Sequence, residues 1–280
     1  MSAADLVFLF KAIIIAIVEG ITEFLPISST GHMIIIGHFI KFTGEFANFF
    51  EVVIQLGAIL AIVVLYWRKI SDSLKPENLY NVNKSGFKLW FNIAIAFIPA
   101  AIIGLIFKKK IDKYLFNTLT VAIAMIVGGL LLFIIENKYR KSNRTRDIKD
   151  VKPVQSVKIG IFQCLSLWPG MSRSASTIMG GWISGLSTPV AAEFSFFLAI
   201  PTMIAASALD LIKNRPVMTS REVIALIVGF IVAFLVALLV VEKFINFLNK
   251  KSLRVFAVYR ILLGIILLVL AALKVIVITK

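Results

Sequence analysis

The 280-residue sequence holds a single cysteine, Cys164, so no internal disulfide can form and the compartment cannot be read from its thiols. Acidic residues are scarce, 15 against 30 basic ones, for a net charge of +15. In a chain with long polar stretches that excess would suggest nucleic acid. Here Lys and Arg gather in short stretches between apolar runs, where membrane topology and anionic headgroups account for them, and no nucleic-acid partner is expected. The N-terminus has neither the basic n-region nor the small-residue cleavage site of a secretory signal, so the first apolar run is expected to stay in the mature protein. The generic catalytic signatures, an HExxH helix and a Walker loop, are missing.

Apolar residues are abundant. They make up 59% of the chain, Phe alone contributes 23, and the mean hydropathy is +0.95. That composition predicts an integral membrane protein of several helices. Six stretches are long enough to cross a bilayer, which takes about 20 helical residues. They lie near 50–67, 89–107, 118–136, 192–211, 222–241 and 255–276. Tyr66, Trp67 and Trp90 flank the first polar loop as interfacial aromatics do.

Two further apolar regions are broken. Region 6–42 is interrupted by "EGITEFLPISSTGH" and region 156–187 by "WPGMSRSAST". Each half of these regions reads as too short to span, which predicts a re-entrant helix–loop–helix entering and leaving on one side. Irregular backbone at membrane depth survives only where protein or a water-filled cavity satisfies it. Both parts of the chain then run broken hairpin followed by three spans. Pro26-Ile27-Ser28-Ser29 matches Pro169-Gly170-Met171-Ser172 at an offset of 143, and Glu51 matches Glu193 at 142. Chance similarity of apolar sequence is the competing explanation. The expected architecture is all-α and polytopic, with an inverted-topology repeat: residues 1–145 with hairpin 6–42, and residues 146–280 with hairpin 156–187. Loops 68–88, 137–155 and 242–254 carry 16 Lys/Arg against 7 in loops 108–117 and 212–221. The positive-inside rule makes the first set cytoplasmic and opens the first hairpin to the outer face, although the run Lys108-Lys109-Lys110 works against this.

The two polar islands carry the chemistry. Glu19 and Glu23 lie four apart on one helix face, where like charges repel. In a low-dielectric site one must be protonated or a cation must sit between them. They read either as a pair capping a polar hairpin or as hard-oxygen ligands for Mg²⁺ or Ca²⁺. Ser28, Ser29 and Thr30 follow a proline; Thr30 or Ser29 can cap a helix beginning near His32, which accounts for one hydroxyl and leaves the others unexplained. His32, beside two carboxylates and three hydroxyls, reads as an acid, base or nucleophile rather than a core imidazole. The second island brings Gly170, Ser172, Arg173, Ser174, Ser176 and Thr177. An embedded Arg is costly and usually paired, so Arg173 either neutralises Glu19 or Glu23 or, with its neighbouring hydroxyls and the Gly170 amide, binds phosphate oxygens. Together the islands suit metal-assisted phosphoryl transfer better than transport of a neutral solute.

These residues carry a resemblance. "EGITEFLPISSTGHMIIIGH", "FEVVIQLGAILAIV" and "LWPGMSRSASTI…EFSFFLAIP" resemble the bacterial undecaprenyl pyrophosphate phosphatase family, also called bacitracin resistance protein, over nearly the whole chain. The first family motif, E-x-x-x-E followed by P-x-S-S-T-G-H, is met at Glu19, Glu23, Pro26, Ser28, Ser29, Thr30, Gly31 and His32. The second, P-G-x-S-R-S-x-x-T, is met at Pro169, Gly170, Ser172, Arg173, Ser174 and Thr177. Neither motif shows a departure; loops 68–88 and 137–155 look less family-like. The resemblance implies removal of the terminal phosphate of undecaprenyl diphosphate, recycling of the lipid carrier for peptidoglycan precursors, and resistance to bacitracin.

The expected assignment gives the cation to Glu19 and Glu23. Arg173 and the Ser172 and Ser174 hydroxyls hold phosphates, with Ser28, Thr30, Gly170 and Thr177 lining the substrate site. Ser29 or His32 attacks phosphorus while the other serves as base or acid; the sequence does not choose between them. Glu51, Gln55 and Glu193 are candidates to support the site, and Glu51 reads equally as a helix-end anchor. The expected setting is the bacterial plasma membrane, with a polyprenyl diphosphate as substrate, membrane lipids as neighbours and a homodimer left open. The rival from another class is a polyprenyl-phosphate flippase or transporter without hydrolysis, since inverted repeats with broken helices are a transporter signature. A phosphate-sensing receptor has no signalling segment to support it.

Overall fold

The computed structural model describes residues 2–80, 84–141, 144–213 and 217–276; residues 81–83, 142–143 and 214–216 of the expected loops lie outside them. The described residues are all-α, with one isolated bridge between Thr145 and Leu186. Twelve α-helices follow in order: α1 Ala3–Thr22, α2 Ser29–Phe39, α3 Glu45–Leu65, α4 Trp67–Leu74, α5 Pro76–Leu79, α6 Ser85–Leu115, α7 Thr118–Tyr139, α8 Pro153–Gln163, α9 Arg173–Ile183, α10 Thr188–Lys213, α11 Ser220–Lys250 and α12 Arg254–Ala272. Six of them, α3, α6, α7, α10, α11 and α12, are long and apolar enough to cross a membrane, and each covers one expected span. The protein is a multi-pass membrane protein.

Two expectations about length change. The helix α1 has 20 residues, about 30 Å, longer than a short half-hairpin, but with Asp5, Lys11 and Glu19 along it, it is not among the helices both long and apolar enough to cross a membrane. A Ser2/Asp5 capping box starts the helix ahead of the apolar run, and Gly20 lets it continue by packing tightly on α11 instead of ending it. The helix α6 has 31 residues and runs through Lys108-Lys109-Lys110, so most of the expected loop 108–117 is helical. Lysine is a good helix former, and its long stem lets the charge reach water from a helix that continues past the apolar zone.

The helices pair across the two parts of the chain. α1 packs on α11, α8 on α6, α3 on α10 and α7 on α12, while α9 lies between α8 and α10. Close approach needs small residues: a Cβ on Gly160 of α8 would stand 2.5 Å from the Ala96 carbonyl oxygen of α6. The largest core cluster is rich in aromatics, with Phe24, Trp182, Phe194, Phe196 and Phe197 all buried, and it lies beneath the polar islands. Leu, Ile and Val remain exposed along the outer faces of α6, α11 and α12. That arrangement suits a surface solvated by lipid rather than water.

Candidate functional site

Both islands use the same local device. Ser28 (φ +71°) and Ser172 (φ +64°) sit in the left-handed region that residues with a side chain rarely adopt. Each is the N-cap of an eleven-residue helix, and each side chain accepts from the backbone N–H three residues on: Ser28 Oγ from Gly31 at 3.4 Å, Ser172 Oγ from Ala175 at 3.3 Å. The equivalence of Ser28 with Ser172 is an offset of 144. The P-x-x-S match at 143, which pairs Ser29 with Ser172, is one residue out of register with the backbone. Gly170 makes up the difference, with φ +101° and a Cβ position only 2.6 Å from the Val121 carbonyl oxygen. Ser29 and Arg173, the residues after these caps, are each the first residue of their helix.

Those two residues meet on one carboxylate. Ser29 Oγ donates to Glu23 Oε2 at 2.7 Å, and Arg173 forms an ion pair with Glu23 Oε1 at 3.5 Å. Arg173 also donates to the Ser195 carbonyl at 3.1 Å and to Ser195 Oγ at 3.4 Å, and its guanidinium lies over the Phe24 ring at 5.7 Å. Its side chain is 9% exposed, and its Nε has no hydrogen-bond partner among the described residues. Glu19, one turn before Glu23, is buried with Oε1 unpartnered, and it lies within electrostatic range of Glu23, Glu51 and Arg173.

His32 is held elsewhere. Its Nδ1 is 2.7 Å from the Ser28 carbonyl oxygen and its Nε2 2.7 Å from the Tyr259 hydroxyl, with the two rings stacked. A carbonyl only accepts, so Nδ1 carries the proton; in a neutral imidazole Nε2 is then the acceptor and Tyr259 donates. Both nitrogens are therefore occupied.

Several hydroxyls of the second island make hydrogen bonds inside the protein, and one of them, Ser174, ties the two hairpins. Ser174 is buried and its Oγ donates to the Phe24 carbonyl at 2.8 Å, joining the second island to the first. Thr177, also buried, donates either back to the Arg173 carbonyl at 2.9 Å or across to Ser195 Oγ at 2.7 Å. Ser176 donates to the Ser172 carbonyl at 2.9 Å. Thr30 and Ser29 are half-buried at the start of α2. Glu51 and Gln55 are half-buried on α3, and Glu193 forms an ion pair with Lys69 at 2.6 Å.

A family model for bacitracin resistance protein BacA matches residues 12–266. The chain belongs to that family. It is 58% identical to an "Undecaprenyl-diphosphatase" of Clostridium tetani (strain Massachusetts / E88), over 96% of this chain and 98% of that protein. It is 55% identical to an "Undecaprenyl-diphosphatase 2" of Clostridioides difficile (strain 630), over 97% and 98%. An "Undecaprenyl-diphosphatase" of Thermoanaerobacter pseudethanolicus (strain ATCC 33223 / 39E) is 55% identical over 96% and 98%.

Three residues that contact the two islands were not foreseen from the sequence: Ser195, Tyr259 and Arg260. Ser195 offered no signal, being one hydroxyl within "EFSFFLAI". Arg260 did offer one, since a lone Arg inside an apolar span is expensive and marks function or a buried partner. It is fully buried and donates to the carbonyls of Gly170 at 3.1 Å and Met171 at 2.9 Å, holding the turn that presents Ser172 and Arg173. Tyr259 and Arg260, adjacent on α12, thus grip one hairpin each.

Among the described residues no group of three or more His, Cys, Asp or Glu side chains could hold a metal ion. Glu19 and Glu23 nonetheless fit a cation that takes only one or two protein carboxylates and completes its shell with water and phosphate oxygens, as Mg²⁺ does, and Glu19 Oε1 is an orphaned acceptor for it.

Proposed function

We propose that this protein hydrolyses undecaprenyl diphosphate to undecaprenyl phosphate and inorganic phosphate, recycling the lipid carrier for peptidoglycan synthesis and conferring bacitracin resistance. Its identity to undecaprenyl-diphosphatases over nearly its full length supports the substrate and the reaction. The observation that carries the mechanism is the 2.7 Å hydrogen bond from Ser29 Oγ to Glu23 Oε2 beside the Arg173 guanidinium.

In this reading Ser29 is the nucleophile and Glu23 its base. Glu23 takes the Ser29 proton as Oγ attacks the terminal phosphorus. The anhydride bond breaks, its electron pair stays on the bridging oxygen, and undecaprenyl phosphate leaves. Water then attacks the phosphoserine, giving inorganic phosphate and regenerating the Ser29 hydroxyl. Arg173, held by Ser195 and Glu23, offers N–H donors to the phosphate oxygens where charge builds in the transition state. A divalent cation on Glu19 and Glu23 would supply Lewis-acid neutralisation of the diphosphate. His32 fits a positioning role better than attack, because both ring nitrogens are engaged. Ser28 and Ser172 shape the substrate site as caps, Ser174 ties its two hairpins together, and Thr177 braces Ser195, on which Arg173 is held. Thr30 and Gly170 lie beside the nucleophile and the clamp in sequence.

The architecture proposed is an inverted repeat of two re-entrant hairpins, each with three spans, set in the bacterial plasma membrane. The crossed packing of α1 on α11 and α8 on α6, the equal caps at Ser28 and Ser172, and the equal lengths of α6 and α11 support it. The 16-to-7 basic bias supports loops 68–88, 137–155 and 242–254 as cytoplasmic. The same crossed packing favours, as a second reading, translocation of the polyprenyl phosphate.

One experiment separates these readings. Purified protein in detergent is given undecaprenyl diphosphate and phosphate release is measured. Wild type should turn over and Ser29→Ala should lose activity by at least a thousandfold, while His32→Gln retains measurable turnover. No phosphate release by wild type leaves only translocation, and full activity in Ser29→Ala removes Ser29 as nucleophile.

A further inference from the structure

A basic cavity of about 610 Å³ opens where α7, α10, α11 and α12 end together. Its charged lining is Glu136, Arg140, Lys141, Arg146 and Arg254, completed by Asn137, Ser187, Thr188, Pro189 and Leu248. The charges do not balance. Glu136 is buried: its Oε1 accepts from Ser252 Oγ at 2.8 Å and the Leu253 N–H at 2.9 Å and pairs with Arg140 at 3.3 Å, while its Oε2 has no hydrogen-bond partner among the described residues. Arg140 is further tied to the Lys251 carbonyl at 2.6 Å. Lys141 and Arg146 have no hydrogen bond or ion pair to any described residue, and Arg254 stacks its guanidinium over Phe133 at 5.7 Å with no carboxylate partner. Two helix N-termini, those of α10 and α12, meet the C-termini of α7 and α11 here, so the helix dipoles offset and the side chains set the sign. What remains is three uncompensated cations around a cavity of headgroup size at one end of a set of membrane helices.

The surroundings choose between anions. Leu130, Phe133 and Ile134 of α7 and Val255 and Val258 of α12, near in sequence to the lining residues Glu136 and Arg254, are exposed, and the Phe133 ring lies under Arg254 itself. A free anion would use only the cations; an acyl-chain lipid would use both. None of these residues belongs to the catalytic site.

We infer that this cavity is a binding site for the phosphate headgroup of an anionic membrane phospholipid, whose chains run along α7 and α12. Basic pockets between transmembrane helices recognise such headgroups by charge, with each Lys or Arg near the surface contributing about fivefold in affinity. The site is separate from the lipid diphosphate site and does not depend on the reaction proposed above.

The test is native mass spectrometry of the purified protein titrated with phosphatidylglycerol, phosphatidylcholine or inorganic phosphate. Wild type should hold one phosphatidylglycerol, no phosphatidylcholine, and be displaced poorly by millimolar phosphate. The Lys141→Gln/Arg146→Gln/Arg254→Gln variant should bind phosphatidylglycerol about a hundredfold more weakly. If that variant does not insert, Arg146→Gln alone, on an exposed loop residue, should lose about fivefold. Unchanged phosphatidylglycerol affinity in the variants overturns the site. Equal retention of phosphatidylcholine overturns the charge argument, and full competition by inorganic phosphate overturns the lipid.

Discussion

Arg173→Lys separates two roles that the structure superimposes on one side chain. Arg173 is the counter-ion of Glu23 and, in the proposed reaction, the donor to the phosphate. A lysine keeps the charge but replaces a planar fork by one point charge, and its ammonium cannot hold the Ser195 carbonyl and face phosphate oxygens in parallel. Loss of one preorganised donor costs about 2.7–4 kcal/mol in the transition state, a fall in kcat of about a hundredfold or more. Stability should change little, because Glu23 keeps a cation. Arg173→Met removes that cation as well and leaves a buried carboxylate alone, a loss of about 3–5 kcal/mol. Adding Glu23→Gln to Arg173→Met should restore stability without restoring turnover, since in the proposed reaction Glu23, which accepts from Ser29, is also the base. Phosphate release at saturating substrate and unfolding in detergent, measured on wild type and the three variants at matched purity, decide the matter. Near-wild-type kcat in Arg173→Lys would falsify the donor role and leave the arginine as a counter-ion only.

Ser174→Ala should destabilise the protein by about 1–3 kcal/mol, because the Phe24 carbonyl loses the hydroxyl that ties the two islands together; an unchanged unfolding midpoint would show that tie to be idle. Excess chelator should abolish phosphate release and Mg²⁺ or Ca²⁺ should restore it; full turnover in chelator, with metal analysis finding no ion, would remove the cation from the mechanism. In a Cys164→Ser background, an impermeant thiol reagent on intact cells should label a cysteine at exposed position 113 and not one at exposed position 150, and the opposite pattern would invert the proposed orientation.

The features most legible in the sequence were those written in local composition. The six spans showed as long apolar runs, and each returned as a helix. The islands showed as polar residues where polarity is costly, and Glu23, Ser29 and Arg173 do converge although 150 residues separate the first from the last. Helix ends were less legible, since Lys108-Lys109-Lys110 ended an apolar window without ending α6. The P-x-x-S match pairs Ser29 with Ser172, whereas the positive-φ cap is shared by Ser28 and Ser172, because letters do not show a backbone state. Ser174 and Thr177 looked free for phosphate because a sequence does not reveal that a carbonyl 150 residues away, or Ser195, stands in reach. Ser195 and Tyr259 enter through packing alone. Arg260 was within reach of the argument used for Arg173, applied to the last span.

The crossed packing of α1 on α11 also sets an order of events during synthesis. About 200 residues separate the end of α1 from the start of α11. At ribosomal rates of about 5–20 residues per second, the first hairpin leaves the ribosome about 10–40 s before its partner helix is complete. Over that interval Glu19 and Glu23 have neither Arg173 nor α11 beside them for most of the time, so the nascent chain holds Ser29 and both carboxylates without the cation that pairs with Glu23. The enzyme is assembled last to first, and a ribosome stalled anywhere before α11 leaves a membrane-bound fragment lacking the helix on which its first hairpin packs.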